Sequence, residues 1–98
     1  MVKIVHEASI ASEIYDIVEK NIKDYNLKNV TLILIKVGSF NGIDGESLRF
    51  AFRAISKGSN CENAKIIMEA VEGFELLVER IEGEEYEEHI NTEKDTTI

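Results

Sequence analysis

Between residues 30 and 55 the chain commits itself to a strand, a tight loop and a helix, and the rest must pack on that unit. Val30, Leu32, Ile33, Leu34, Ile35 and Val37 make a nearly continuous apolar run, rich in β-branched residues and too short to span a membrane. Such a run predicts a strand covered on both faces. Gly38 closes it, and S-F-N-G-I-D-G follows. Asn41-Gly42 and Asp44-Gly45 would each suit a hairpin turn, but the apolar spacing beyond them is helical. Leu48, Phe52 and Ile55 recur at i, i+4 and i+7 and share a face, with Arg49 and Arg53 turned away from it. Asp44 is the predicted N-cap, its side chain accepting from an orphan backbone N–H. Lys57-Gly58 is the predicted stop, because glycine accepts the left-handed conformation at a helix end.

The flanking segments supply the partners. A helix is predicted over residues 8–25, with Ile10, Ile14, Ile17, Val18 and Ile22 as its buried stripe. Asn26 suits a left-handed helix end, and residues 27–29 read as the connection into the strand. Ahead of the helix, Met1 to Val5 alternate weakly, enough for a short edge strand at most. After a polar loop at residues 59–63, residues 64–71 read as a second strand. Strand, helix, strand implies a right-handed crossover and a parallel pair. Glu72-Gly73 then suits a tight turn, with Phe74, Leu76 and Val78 folding back as a hairpin strand. Gly83 is expected to interrupt that strand, leaving an acidic segment at 84–90 anchored by Tyr86 and Ile90, and an end at 91–98 that frays. The expected architecture is α/β, one domain over residues 1–98, with two helices packed on one face of a small three- or four-stranded mixed sheet.

Charge and cysteine usage narrow the function. A net charge of −8 at pH 7 sets the chain against nucleic-acid backbones and anionic membranes, and is compatible with cations or a basic partner surface. A single cysteine, Cys61, precludes an intramolecular disulfide and fits a reducing compartment. The opening M-V-K-I-V-H-E lacks a signal peptide's apolar stretch, so the expected location is cytoplasmic. Catalytic patterns are missing: the glycines of G-S-F-N-G-I-D-G do not make a phosphate-binding loop, and no nucleophile–base order is recognisable. A non-enzyme is expected.

One family resemblance emerges from these residues. A strand ending in V-G, a short loop, then E-S-L-R-F-A-F with K-G shortly after, preceded by H-E-A-S-I-A-S at residues 6–12, resembles the HypA nickel-insertion metallochaperones of hydrogenase maturation. The likeness covers roughly residues 5–71. In that family the resemblance implies nickel held at the N-terminus by the histidine after the initiator methionine, the terminal amine and nearby backbone nitrogens. Here the corresponding histidine is His6, so the amine stands five residues away. His6 and Glu7 are the metal-site candidates: imidazole suits a borderline divalent ion, and Glu7 can add an oxygen or orient the ring. A lone histidine at a helix start is, equally, a solvated or capping group.

The family also carries two C-x-x-C pairs on a zinc-binding insertion after the strand that matches residues 64–71. This sequence holds one cysteine, and Val71-Glu72-Gly73-Phe74 joins two apolar segments directly. A closed four-thiolate site needs four cysteines, so no structural zinc is expected, and Cys61 reads as a small buried thiol. His89, among Glu84, Glu85, Glu87, Glu88 and Glu93, lies in a solvated charge run. Three readings follow. The first is a HypA-like maturation factor that binds nickel weakly and docks on a maturation GTPase or a nickel-enzyme precursor. The second is a metal-free adaptor or oligomerisation module of the same fold, with strand exchange giving a homodimer. An enzyme using the acidic face is a distant third.

Overall fold

The computed structural model describes residues 7–86; the expected strand at residues 1–5, His6, His89, Ile90 and the end at 91–98 lie outside the described residues. α1 (Glu7–Asp24) leads into β1 (Leu27–Gly38), which is followed by α2 (Gly45–Ser56), β2 (Lys65–Val71) and β3 (Leu76–Glu85). The sheet has the order β2-β1-β3. β2 runs parallel to β1, from Leu32 opposite Lys65 to Gly38 opposite Val71, as a helical crossover requires. β3 runs antiparallel on the other side, from Val37 opposite Leu76 to Leu27 opposite Glu85.

Both helices lie on one face of this mixed sheet. Val30, Ile33 and Ile35 of β1 are buried together with Ala11, Ile14 and Val18 of α1, Leu48 and Phe52 of α2, and Ile66 of β2. Among the described residues nothing covers the opposite face, which corrects the expectation of a strand covered on both sides. Leu32 and Leu34 are only half-buried there, Ile67 and Leu77 are exposed, and Lys36 bridges Glu79 at 3.3 Å. The unbroken apolar run instead marks a strand hydrogen-bonded along both edges. Two helices cover one face and leave none for the other.

Four local expectations are corrected. Residues 27–29 are strand, not connection: Asn26, with φ 54°, turns the chain by itself, and Leu27 and Asn29 pair with Glu85 and Glu84. Ile17 and Ile55 lie off their buried stripes; Ala11 and Ser56 sit inside instead, three residues before Ile14 and four after Phe52. β2 and β3 form no hairpin, because residues 72–75 carry the chain across the end of β1 to its far side. Two strand spacings, about 10 Å, are within reach of that connection. Gly83 does not interrupt β3 but pairs with Val30 inside it.

Candidate functional site

The starts of α1 and α2 meet at the end of the sheet where β1 stops. Asp44 caps α2 from an extended conformation, with Oδ1 accepting from the Glu46 N–H at 3.2 Å and Oδ2 from the Ser47 hydroxyl at 2.8 Å. That much the sequence predicts. It does not predict that the Asp44 N–H itself donates to Glu7 Oε2 at 2.9 Å. One carboxylate at the first position of α1 therefore holds the cap of α2, and both helix N-termini are fixed side by side. Glutamate in a first helical turn is also favoured by the helix dipole.

The loop beneath them is equally constrained. Asn41 Oδ1 accepts from the Ile43 N–H at 3.0 Å, and its Nδ2 donates to Glu75 O at 3.1 Å. The Gly38, Ser39 and Phe40 amides donate to Glu75, Val71 and Gly73 carbonyls at 2.6, 2.7 and 2.8 Å. A Cβ on Gly38 would collide with the Gly73 carbonyl and lie 2.6 Å from the Glu75 nitrogen, so only glycine admits this crossing. Phe40 and Phe74 stack on the outside of it, both exposed, with ring centroids 5.5 Å apart. Beside the loop is a cavity of about 280 Å³ whose apolar wall is Val37, Ile43, Met68 and Ala70.

Of the predicted metal ligands, Glu7 is placed at this junction and His6 lies outside the described residues. No group of three or more His, Cys, Asp or Glu side chains among the described residues could hold a metal. Arg49 and Arg53, expected to point into solvent, donate to the carbonyls of Ile66 and Glu62, the latter at 3.1 Å. They clamp α2 to β2 and its approach loop. The signal missed is that arginine stems reach across from a helix flank while the planar head finds backbone oxygens.

Cys61 is fully buried, its Sγ 3.3 Å from the Ser59 hydroxyl, and burial pushes the thiol pKa up. Tyr15 is half-buried, its phenol pushed up by burial and then by Glu19, and it packs on Phe52 with ring centroids 6.2 Å apart. That ring pair joins α1 to α2. A thiol held neutral is a poor nucleophile and a poor metal ligand.

The whole is a small one-sided α/β domain whose distinctive polar feature is a pinned pair of helix starts. Against known proteins, residues 5–82 match the family described as "Hydrogenase/urease nickel incorporation, metallochaperone, hypA". The chain belongs to the HypA family. Hydrogenase maturation factor HypA of Ignicoccus hospitalis is 43% identical over 68 residues, covering 67% of this chain and 49% of that protein. The Chlorobium luteolum protein of the same name is 35% identical over 68 residues, covering 69% and 58%. The chain thus spans about half the length of such curated relatives. The solution structure of the nickel metallochaperone HypA from Helicobacter pylori superposes with a TM-score of 0.61 at 13% identity, over 76% of this chain and 70% of that one. The fold is therefore shared even where sequence identity has faded.

Proposed function

We propose that this chain is a nickel-handling maturation factor that takes Ni²⁺ as cargo through His6, with Glu7 setting the start of α1 against α2. The observation that carries this reading is the Glu7–Asp44 hydrogen bond within the family-matched segment. It gives the second residue of the His6-Glu7 pair a positioning role at the start of α1. An imidazole with backbone and carboxylate donors suits a borderline divalent ion. Delivery to a nickel-enzyme precursor, aided by a maturation GTPase, is the corresponding task, and the cytoplasm the corresponding place. No described helix is long and apolar enough to cross a membrane. A resident four-thiolate zinc site has no place in this proposal, since the sequence supplies one cysteine.

A metal-free adaptor built on the same fold is the second reading, favoured by the lack of a three-ligand cluster among the described residues. Calorimetric titration of Ni²⁺ into the full chain and its His6→Ala variant separates the two. Near-stoichiometric binding in the low micromolar range (about −8 kcal/mol), lost in His6→Ala, supports the metallochaperone. Heat indistinguishable from buffer, or binding untouched by the substitution, leaves the adaptor.

A further inference from the structure

β3 is an edge strand of the described sheet, and a groove runs beside it. α1 packs over β1, and the groove opens between its outer flank and β3. The space is about 610 Å³, and its apolar walls are Ile17 of α1, Tyr25 just beyond its end, Leu27 of β1, and Val78 and Ile81 of β3. Ile17 is 45% exposed and Tyr25 63%. The core uses neither.

The backbone along this groove is aimed outward. Along a strand, the N–H and C=O of successive residues point to alternate edges. The Glu82 carbonyl accepts from the Thr31 hydroxyl at 3.2 Å, and the Tyr86 N–H donates to Asn26 O at 3.3 Å, so these even-numbered residues face β1. Ile81 and Gly83 between them face away. Among the described residues no strand lies on that outer side of β3. Exposed edges are usually protected by charge, and β3 has it: L-L-V-E-R-I-E-G-E-E sets four carboxylates against one arginine. That charge repels most strands and invites one kind.

We propose that the β3 edge takes up an extended, basic segment of a partner protein by strand addition, with alternate apolar side chains entering the groove under Ile17 and Tyr25. Lysines or arginines on the segment's other side would meet Glu82 and Glu84. Main-chain bonds to Ile81 and Gly83 give affinity, and the groove with its acidic rim gives selectivity. The groove begins at Ile17, about 15 Å along α1 from Glu7 at the helical rise. Docking there is independent of the nickel reading, and either can fail alone.

The test is fluorescence anisotropy of the full chain with a labelled seven-residue peptide alternating lysine and valine. A glutamate-for-lysine analogue and an analogue with a central proline serve as controls. Saturable binding is expected for the first, weaker by about tenfold or more for both controls and for Ile17→Arg, and unchanged for Phe50→Ser on the exposed side of α2. Amide exchange at Ile81 and Gly83 should slow on adding the peptide. Equal binding of all three peptides, or no effect of Ile17→Arg, overturns the proposal. So does protection of those two amides before peptide is added, which would assign the edge to a second copy if sedimentation gives a dimer, and to this chain's own segments if it gives a monomer.

Discussion

Glu7 and Asp44 show how much of this fold hangs on single polar side chains. Asp44→Ala removes the acceptor for Glu46 and Ser47 and should cost about 1 kcal/mol, read as a lower urea midpoint, with Asp44→Ser restoring most of it. Glu7→Ala strips the acceptor from the Asp44 N–H at an exposed site. A loss of about 0.5–1.5 kcal/mol is expected, with Glu7→Gln closer to the parent because its amide oxygen can still accept. An unchanged midpoint for Glu7→Ala would mean the bond adds nothing to stability, and the positioning role would go with it. Cys61 gives a pH signature. Its folded-state pKa is raised above the unfolded value, chiefly by burial. The unfolded chain then loses a proton first as pH rises, so stability present below about pH 8.5 declines above it. Tyr15, raised in the same direction, extends the decline to higher pH. Cys61→Ala should flatten the first part of that profile, and the native thiol should resist alkylation until the protein unfolds. Rapid native-state labelling would contradict the buried placement.

At the scale of elements, the strands and helices were legible because each carries its own period. The β1 run, the Leu48–Phe52 stripe and the Asp44 cap are local statements, and they stand. Strand order is not local. Nothing in Glu72-Gly73-Phe74 distinguishes a hairpin from a crossing; the difference lies in Gly38, which gives the connection room to pass over the end of β1. The same physics places Gly83, where a Cβ would collide with the Asn29 carbonyl and approach Leu27 Cδ1 to 3.2 Å. A Gly read as a break was instead a close approach of two backbones. Gly38→Ala and Gly83→Ala should therefore each destabilise by about 2–3 kcal/mol, near the upper end of what single substitutions do. Thermal melts test this directly, and a shift under about 2 °C would show that the backbones can part. The candidate site was half legible for a similar reason. His6-Glu7 stands out in sequence, but the bond from Asp44 to Glu7 joins residues 37 apart and leaves no periodic trace.

The whole molecule carries a charge that its own pairs do not neutralise. Nineteen acidic residues face eleven lysines and arginines, and the described ion pairs are Lys20–Asp24, Lys36–Glu79 and Arg80–Glu82, mostly exposed. Exposed pairs contribute little, and Arg49 and Arg53 spend their hydrogen bonds on carbonyls rather than on carboxylates. Repulsion among the remaining carboxylates should then dominate the electrostatics of the compact state. Raising ionic strength from 0.01 to 0.15 M shortens the screening length from about 30 to about 8 Å, which relieves long-range repulsion more than it weakens contacts of 3–4 Å. The urea midpoint should rise with sodium chloride over that range, and equally with potassium chloride. A fall would mean that the three surface pairs outweigh the net charge. The same field bears on recognition: a net charge of −8 draws basic partners faster at low salt, whichever surface they finally occupy. Salt should therefore pull stability and partner association in opposite directions, stability up and association rate down. Measuring both quantities on one preparation thus distinguishes a fold tolerating its acidity from one held together by it.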